Sequence, residues 1–167
     1  MTDLPHLNAT GEAHIVDVGA KDSTRRVAVA EGRITMAPET LAAIRDQRVK
    51  KGDVLAVARV AGLMATKKTW ETVPLCHPIQ LTHAEVTLEP AADGSGIHCT
   101  GRTETVERTG VEMEALNGVQ AALLTVYDMC KGMDRGMTIT DVGLRHKSGG
   151  KSGTWERESA PDEDTNL

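Results

Sequence analysis

The chain contains no phenylalanine, and its only aromatic residues are Trp70, Tyr127 and Trp155. Any core must therefore be assembled from Val, Leu, Ile, Met and Ala. Small aliphatic side chains let helices and strands approach closely, but each removes little apolar area from water. A thin core of this kind gains stability when copies bury further surface against one another, so an oligomer is expected. Hydrophobic residues make up 40% of the 167 positions, enough for one packed core. We expect a single domain over 1–167, with flexible ends at about 1–12 and 154–167.

Several function classes are disfavoured. No apolar run approaches the ~20 residues that span a bilayer. The opening Met1–His6 has no basic stretch followed by an apolar block, so no secretory signal is expected. The three cysteines, Cys76, Cys99 and Cys130, are odd in number and widely spaced, which argues for a reducing cytoplasm over a disulfide framework. There is no C-x-x-C pair, and no metal site or other cofactor is expected. Net charge is -5, yet the tail 156–167 carries -4 of it and leaves -1 on the body. There the bases cluster at Lys50-Lys51, Lys67-Lys68, Lys131 to Arg135, and Arg145 to Lys151. Separate basic clusters on a near-neutral body suit small anions rather than nucleic acid, although any one of them also reads as solvated lysines at an element end.

Periodicity supplies the element order. Residues 27–36 read as a strand whose large apolar residues change parity at Glu31-Gly32, as a bulge or turn would produce. Pro38 suits the first turn of a short helix ending near Lys50-Lys51-Gly52. Asp53 is a good N-cap for a second helix to about Trp70, apolar almost all round apart from Arg59. Such a helix is buried by its own domain or by a neighbouring subunit. Ala84, Val86 and Leu88 alternate with polar residues over 82–89, and a return strand is expected over 97–106 after the turn residues 90–96. Gly110 to Lys131 is the longest helix, and a last strand covers about 137–146. This order predicts an α+β fold. It is a ferredoxin-like β-α-β-β-α-β unit with an extra helix in the first crossover and an antiparallel sheet packed by helices.

Four segments carry chemistry. In Pro74-Leu75-Cys76-His77-Pro78, two prolines hold a loop from which His77 can donate a hydrogen bond or exchange protons; a satisfied loop histidine reads equally from the same residues. Glu112 and Glu114 open the long helix, where acids favour the helix dipole whether or not they meet a ligand. Asp128 follows an apolar stretch and precedes Lys131 by three residues. Desolvation would raise its pKa and the lysine would lower it, so a proton-transfer group and a helix ion pair are both open. Lys147-Ser-Gly-Gly-Lys151-Ser-Gly lacks the first glycine of a Walker loop, but a basic glycine-rich segment can still wrap phosphate oxygens. Along one helix Glu114 and Asp128 would stand about 21 Å apart. They cannot serve one reacting atom from the same chain, so either a long ligand lies along the helix or two chains share a site.

Taken in order, Lys51-Gly-Asp-Val-Leu-Ala, Ala61-Gly-Leu-Met-Ala-Thr-Lys-Lys-Thr69, Pro74-Leu-Cys-His-Pro78, Thr109-Gly-Val-Glu-Met-Glu-Ala-Leu116, Tyr127-Asp-Met-Cys-Lys131 and Lys147-Ser-Gly-Gly-Lys-Ser-Gly153 resemble the cyclic pyranopterin monophosphate synthase family, also called molybdenum cofactor biosynthesis protein C. The likeness runs from about Asn8 to Gly153. It implies a homohexamer made of three dimers, with sites at subunit interfaces. It implies a lyase that converts 3′,8-cyclo-7,8-dihydro-GTP to cyclic pyranopterin monophosphate and releases pyrophosphate. By the same resemblance Asp128 is the acid/base, Lys131 its partner and Lys51 a phosphate-facing lysine. Leu75, Cys76, His77, Met113 and Glu114 bind substrate, Glu112 is a further carboxylate, and Lys67, Lys147 and Lys151 contact phosphate. A non-catalytic module binding nucleotides or pterins remains the alternative, since it would share the lysines.

Overall fold

Residues 5–158 are described in the computed structural model of the chain. The elements are β1 (Thr24–Thr35), α1 (Pro38–Arg45), α2 (Val54–Thr66), α3 (Thr69–Thr72), β2 (His83–Pro90), β3 (Gly96–Glu107), α4 (Glu112–Cys130), β4 (Thr138–Ser148) and β5 (Trp155–Glu156). They form one sheet in the order β2-β3-β1-β4-β5, with every neighbouring pair antiparallel. The first four strands have the expected ferredoxin-like arrangement, and α1 and α2 both lie in the first crossover. Trp155 and Glu156, within the stretch expected to be flexible, pair with Lys147 and His146 on the β4 edge. The outer parts of both expected flexible ends, 1–4 and 159–167, lie outside the described residues.

The parity change read at Glu31-Gly32 is a real irregularity. The β1–β4 register shifts between Val29 and Ala30 and again between Glu31 and Arg33. Gly32 then faces α4, where a β-carbon would come within 2.9 Å of Leu123 and Val142 methyls. The core is aliphatic, as the composition requires. Ile34, Ile97, Val86, Val111, Val119, Leu123 and Val126 are its largest fully buried apolar side chains.

α2 and α4 pack against each other through their smallest residues. Ala58, Gly62 and Thr66 on α2 meet Gly118 and Ala122 on α4, and a β-carbon on Gly62 would sit 2.9 Å from the Gly118 carbonyl oxygen. Close approach is what a core without large aromatics permits. α2 buries only Val54, Ala58, Gly62 and Thr66 within the chain. Leu55 and Leu63 pack, partly buried, against the core, whereas Val57, Val60 and Met64 are exposed.

Two helix ends differ from the sequence reading. α1 stops at Arg45 rather than near Lys50, because Gln47 adopts a left-handed φ of 52°. Gln47 N–H donates to Ile44 O and Arg48 N–H to Ala43 O, the paired bonds of a Schellman end. Glycine usually marks that position, so a glutamine there left no signal. α2 stops at Thr66, where the Thr66 hydroxyl donates to the Leu63 carbonyl and the short α3 takes over.

Candidate functional site

A buried hydroxyl contact and a part-buried amide contact set the first group of side chains. Thr103 on β3 donates to the Val111 carbonyl at 2.9 Å, fixing the start of α4. Asn117, one turn on, donates its amide to the Ala65 carbonyl at 3.0 Å, tying α4 to the end of α2. The loop after α3 is thereby held beside the first turn of α4. Leu75, Cys76, His77, Glu112, Met113 and Glu114 all line one cleft of about 510 Å³. Residues 5–18, which carry no periodic pattern, supply its other wall through Val16 and Val18. His77 Nε2 lies 2.7 Å from the Val16 carbonyl oxygen. A carbonyl can only accept, so Nε2 carries the hydrogen, which leaves Nδ1 to face another partner.

Glu114 is only 4% exposed although it carries a carboxyl. Burial pushes its pKa up to about 7, with the neighbouring Glu112 adding to the effect. Desolvation also raises the Cys76 thiol, and Glu114 raises it further. Cys76 is therefore a thiol at neutral pH and not an activated nucleophile. Glu112 leans the other way and pairs with Lys147 of β4.

A second group forms at the opposite end of α4. Lys51 donates to both the Asp128 carbonyl, at 3.0 Å, and its carboxylate, at 3.2 Å. Lys131 donates to the other carboxylate oxygen at 2.6 Å. The motif Lys51-Gly52-Asp53 explains how Lys51 arrives there. Asp53 caps α2 by accepting from Ala56 N–H at 3.0 Å, and Gly52 turns the chain with φ 108°, a conformation that side chains resist. Lys51 is thus thrown back over the last turn of α4. The Lys131 hydrogen bond, then that of Lys51, holds the Asp128 carboxyl below its ordinary pKa. The desolvation considered from sequence is overridden, because the Asp128 side chain keeps 54% of its exposure. A broad recess of about 770 Å³ surrounds this trio, with Arg48, Lys50 and Arg135 on its walls.

The remaining candidates lie apart from both groups. Lys67 is the exposed C-cap of α2. Lys151 sits in the glycine-rich loop after β4, beside Lys21 and Arg26. Among the described residues, no set of three or more His, Cys, Asp and Glu side chains is placed to hold a metal ion. Lys21 and Arg26 were not singled out from sequence. The signal for Arg26 is the Arg25-Arg26 pair at the head of β1, whose meaning depends on the pairing of Val27 with Ser148.

The family model described as the MoaC family matches residues 15–150, most of the chain and every segment of both side-chain groups. The chain belongs to the MoaC family. Its role is accordingly in molybdenum cofactor biosynthesis, as an enzyme acting on a small molecule. For this MoaC-family chain no helix among the described residues is long and apolar enough to cross a membrane. The matched span includes the 15–18 segment against the cleft and stops inside the glycine-rich loop.

Proposed function

We propose that the chain is a cyclic pyranopterin monophosphate synthase. It would convert 3′,8-cyclo-7,8-dihydro-GTP to cyclic pyranopterin monophosphate with loss of pyrophosphate, acting as a one-domain subunit of a homohexamer of three dimers. The observation that carries this reading is the separation of two chemically opposite carboxyl groups. Asp128 is held ionised by two lysines, and Glu114 is held protonated up to about pH 7 by burial. Carboxyls driven apart in this way are suited to be base and acid of one reaction. They stand about 21 Å apart along α4, so one chain cannot bring both to one reacting atom.

A second copy can. A two-fold axis across the middle of the α2–α4 pair would set the Asp128 end of one chain against the Glu114 end of the other. That helix pair leaves Val60, Met64 and Leu124 more than half exposed, at 55%, 53% and 62%. Covering them would relieve the deficit of a core without large aromatics. In the joined site the cleft lined by Leu75, Cys76, His77, Met113 and Glu114 would take the purine-derived rings. Lys51 and Lys131 would face the phosphates beside Asp128, with Lys67, Lys147 and Lys151 as further phosphate contacts and Glu112 as a second carboxylate. Ring opening and reclosure need protons moved in both directions, which a protonated Glu114, His77 and an ionised Asp128 supply. Expulsion of pyrophosphate needs positive charge at the leaving oxygens, which the lysines supply.

The test is incubation with the cyclised substrate while pyrophosphate and the pterin product are followed. Wild-type protein should release both in equal amounts. Asp128→Ala should abolish release and keep substrate binding. Normal turnover by that variant would remove Asp128 from the chemistry, and binding without turnover by wild type would favour the non-catalytic nucleotide- or pterin-binding module.

A further inference from the structure

α1 has no cap of its own. Ala37 stands at its N-cap and offers no side-chain acceptor, where Ser, Thr, Asp or Asn is usual. The missing acceptor is Asp134, from the turn that follows α4. Its Oδ2 accepts from the Ala37 N–H at 2.9 Å and from the Thr40 hydroxyl at 3.0 Å. Its Oδ1 accepts from the Gly136 N–H at 3.2 Å, which closes the turn on itself. Thr40 is buried, so loss of this acceptor would leave its hydroxyl unpaired.

The two segments joined in this way are the ones that deliver the lysines of the trio. Lys131 is the C-cap of α4, and the turn behind it folds back. The Met133 and Asp134 N–H groups donate to the Cys130 carbonyl at 3.0 and 3.1 Å, and the Tyr127 hydroxyl donates to the Arg135 carbonyl at 3.0 Å. Lys51 follows α1. Beyond the Schellman end of that helix Val49 is buried, and the Gly52 N–H donates to the Val49 carbonyl at 3.1 Å, so the segment has little freedom. Among the described residues, Asp134 is the one side chain that hydrogen-bonds residues 132–136 to α1 and its cap.

We propose that Asp134 is a positioning residue for the proposed reaction. By clamping the turn after α4 to the first turn of α1, it sets the separation at which Lys51 and Lys131 bracket Asp128. It stands behind the lysines and acts through them. Its link to turnover rests on the reaction proposed above; the placement of the lysines does not. The charged groups that share the recess with Asp128 are Arg48, Lys50, Lys51, Lys131 and Arg135, all cationic. Letting the two bonded lysines drift therefore raises the Asp128 pKa toward its ordinary value. Deleting the Asp134 charge acts directly in the opposite sense, because one anion fewer nearby favours an ionised Asp128. The sign of the change thus separates repositioning from simple electrostatics.

Carbon-13 NMR titration of the Asp128 carboxyl in the full-length protein tests this without turnover. Asp134→Ala should shift the Asp128 titration to higher pH. Thr40→Val keeps a β-branched shape and removes one of the three bonds, so it should shift the titration the same way by less. Asp134→Asn retains an acceptor oxygen for Ala37 and Thr40 and should recover most of the difference. Leu88→Val thins the core at β2, away from the trio, and should lower stability with the titration unchanged. With the cyclised substrate, Asp134→Ala should lower kcat by about ten- to a hundredfold, as small misplacements of reacting groups do, and move the acid limb of the pH profile upward. The proposal is overturned if Asp128 in Asp134→Ala titrates as in wild type or at lower pH, if Leu88→Val shifts it as far, or if kcat is unchanged in a protein whose wild type turns over. Should Asp134→Ala fail to fold, Thr40→Val decides by the same criteria. A shifted titration in a protein whose wild type does not convert the substrate keeps the positioning role and removes the proposed reaction.

Discussion

Glu114 and Asp128 occupy the same helix, yet their surroundings move them in opposite directions, and the consequences are separable by pH. Glu114 is raised from 4.5 to about 7, so the folded chain binds its proton more tightly than the unfolded chain does. Its favourable contribution is complete below the unfolded value of about 4.5 and is lost as pH rises through about 7. Glu114→Gln removes that loss. Relative to wild type, the variant should be more stable at about pH 8 than at about pH 5, by something on the order of 3 kcal/mol, read from urea midpoints at both values. No difference between the two pH values would mean that Glu114 ionises freely. Asp128 is the contrasting case, a half-exposed carboxylate bridged by Lys51 and Lys131. Exposed ion pairs contribute little to stability. Asp128→Asn should therefore leave the melting temperature in place while turnover falls by at least about a hundredfold. A lower melting temperature with normal turnover would make the trio a structural contact.

At the scale of elements, each half of the site depends on how a helix begins or crosses another. Asp53 caps α2 two residues after Lys51, so one short segment both starts a helix and delivers a cation. Asp53→Ala should cost about 1 kcal/mol of stability, and Asp53→Asn much less, as measured by thermal unfolding. The first variant should also lower turnover, because the turn that aims Lys51 loosens. Gly118 governs the other half. A β-carbon there would lie 2.7 Å from the Thr66 methyl, in the seam between α2 and α4. Gly118→Val should destabilise by about 1–3 kcal/mol through overpacking and displace the loop that carries Cys76 and His77. Retained stability in that variant would mean that the two helices slide apart without strain.

For the whole molecule the decisive question is whether two chains complete one site. Asp128→Ala and Glu114→Ala should each be inactive alone. Chains mixed and reassembled at random should recover about a quarter of wild-type activity, because half of the dimers are mixed and each mixed dimer has one intact site. No recovery, with mixed species present, would place both residues in a single-chain site. Met64→Asp, on the outward face of α2, should shift the assembly toward smaller species in light scattering. An unchanged mass would direct the contact elsewhere.

Much of the fold and part of the site were legible in the amino-acid order, because they depend on neighbours along the chain. Alternation over 82–89, the period of α4, the Asp53 cap and the parity change at Glu31-Gly32 are local, and each is present in the structure. The basic and acidic residues of both groups stood out for the same reason. What the order of residues did not disclose depends on groups distant in sequence. Gln47 took a left-handed turn that glycine would have announced. The Glu114 carboxyl has its pKa raised to about 7 only because the fold buries it. Lys21 and Arg26 joined Lys151 only through the pairing of β1 with β4. Burial and charge neighbourhood are sums over the folded chain, so no stretch of sequence contains them by itself.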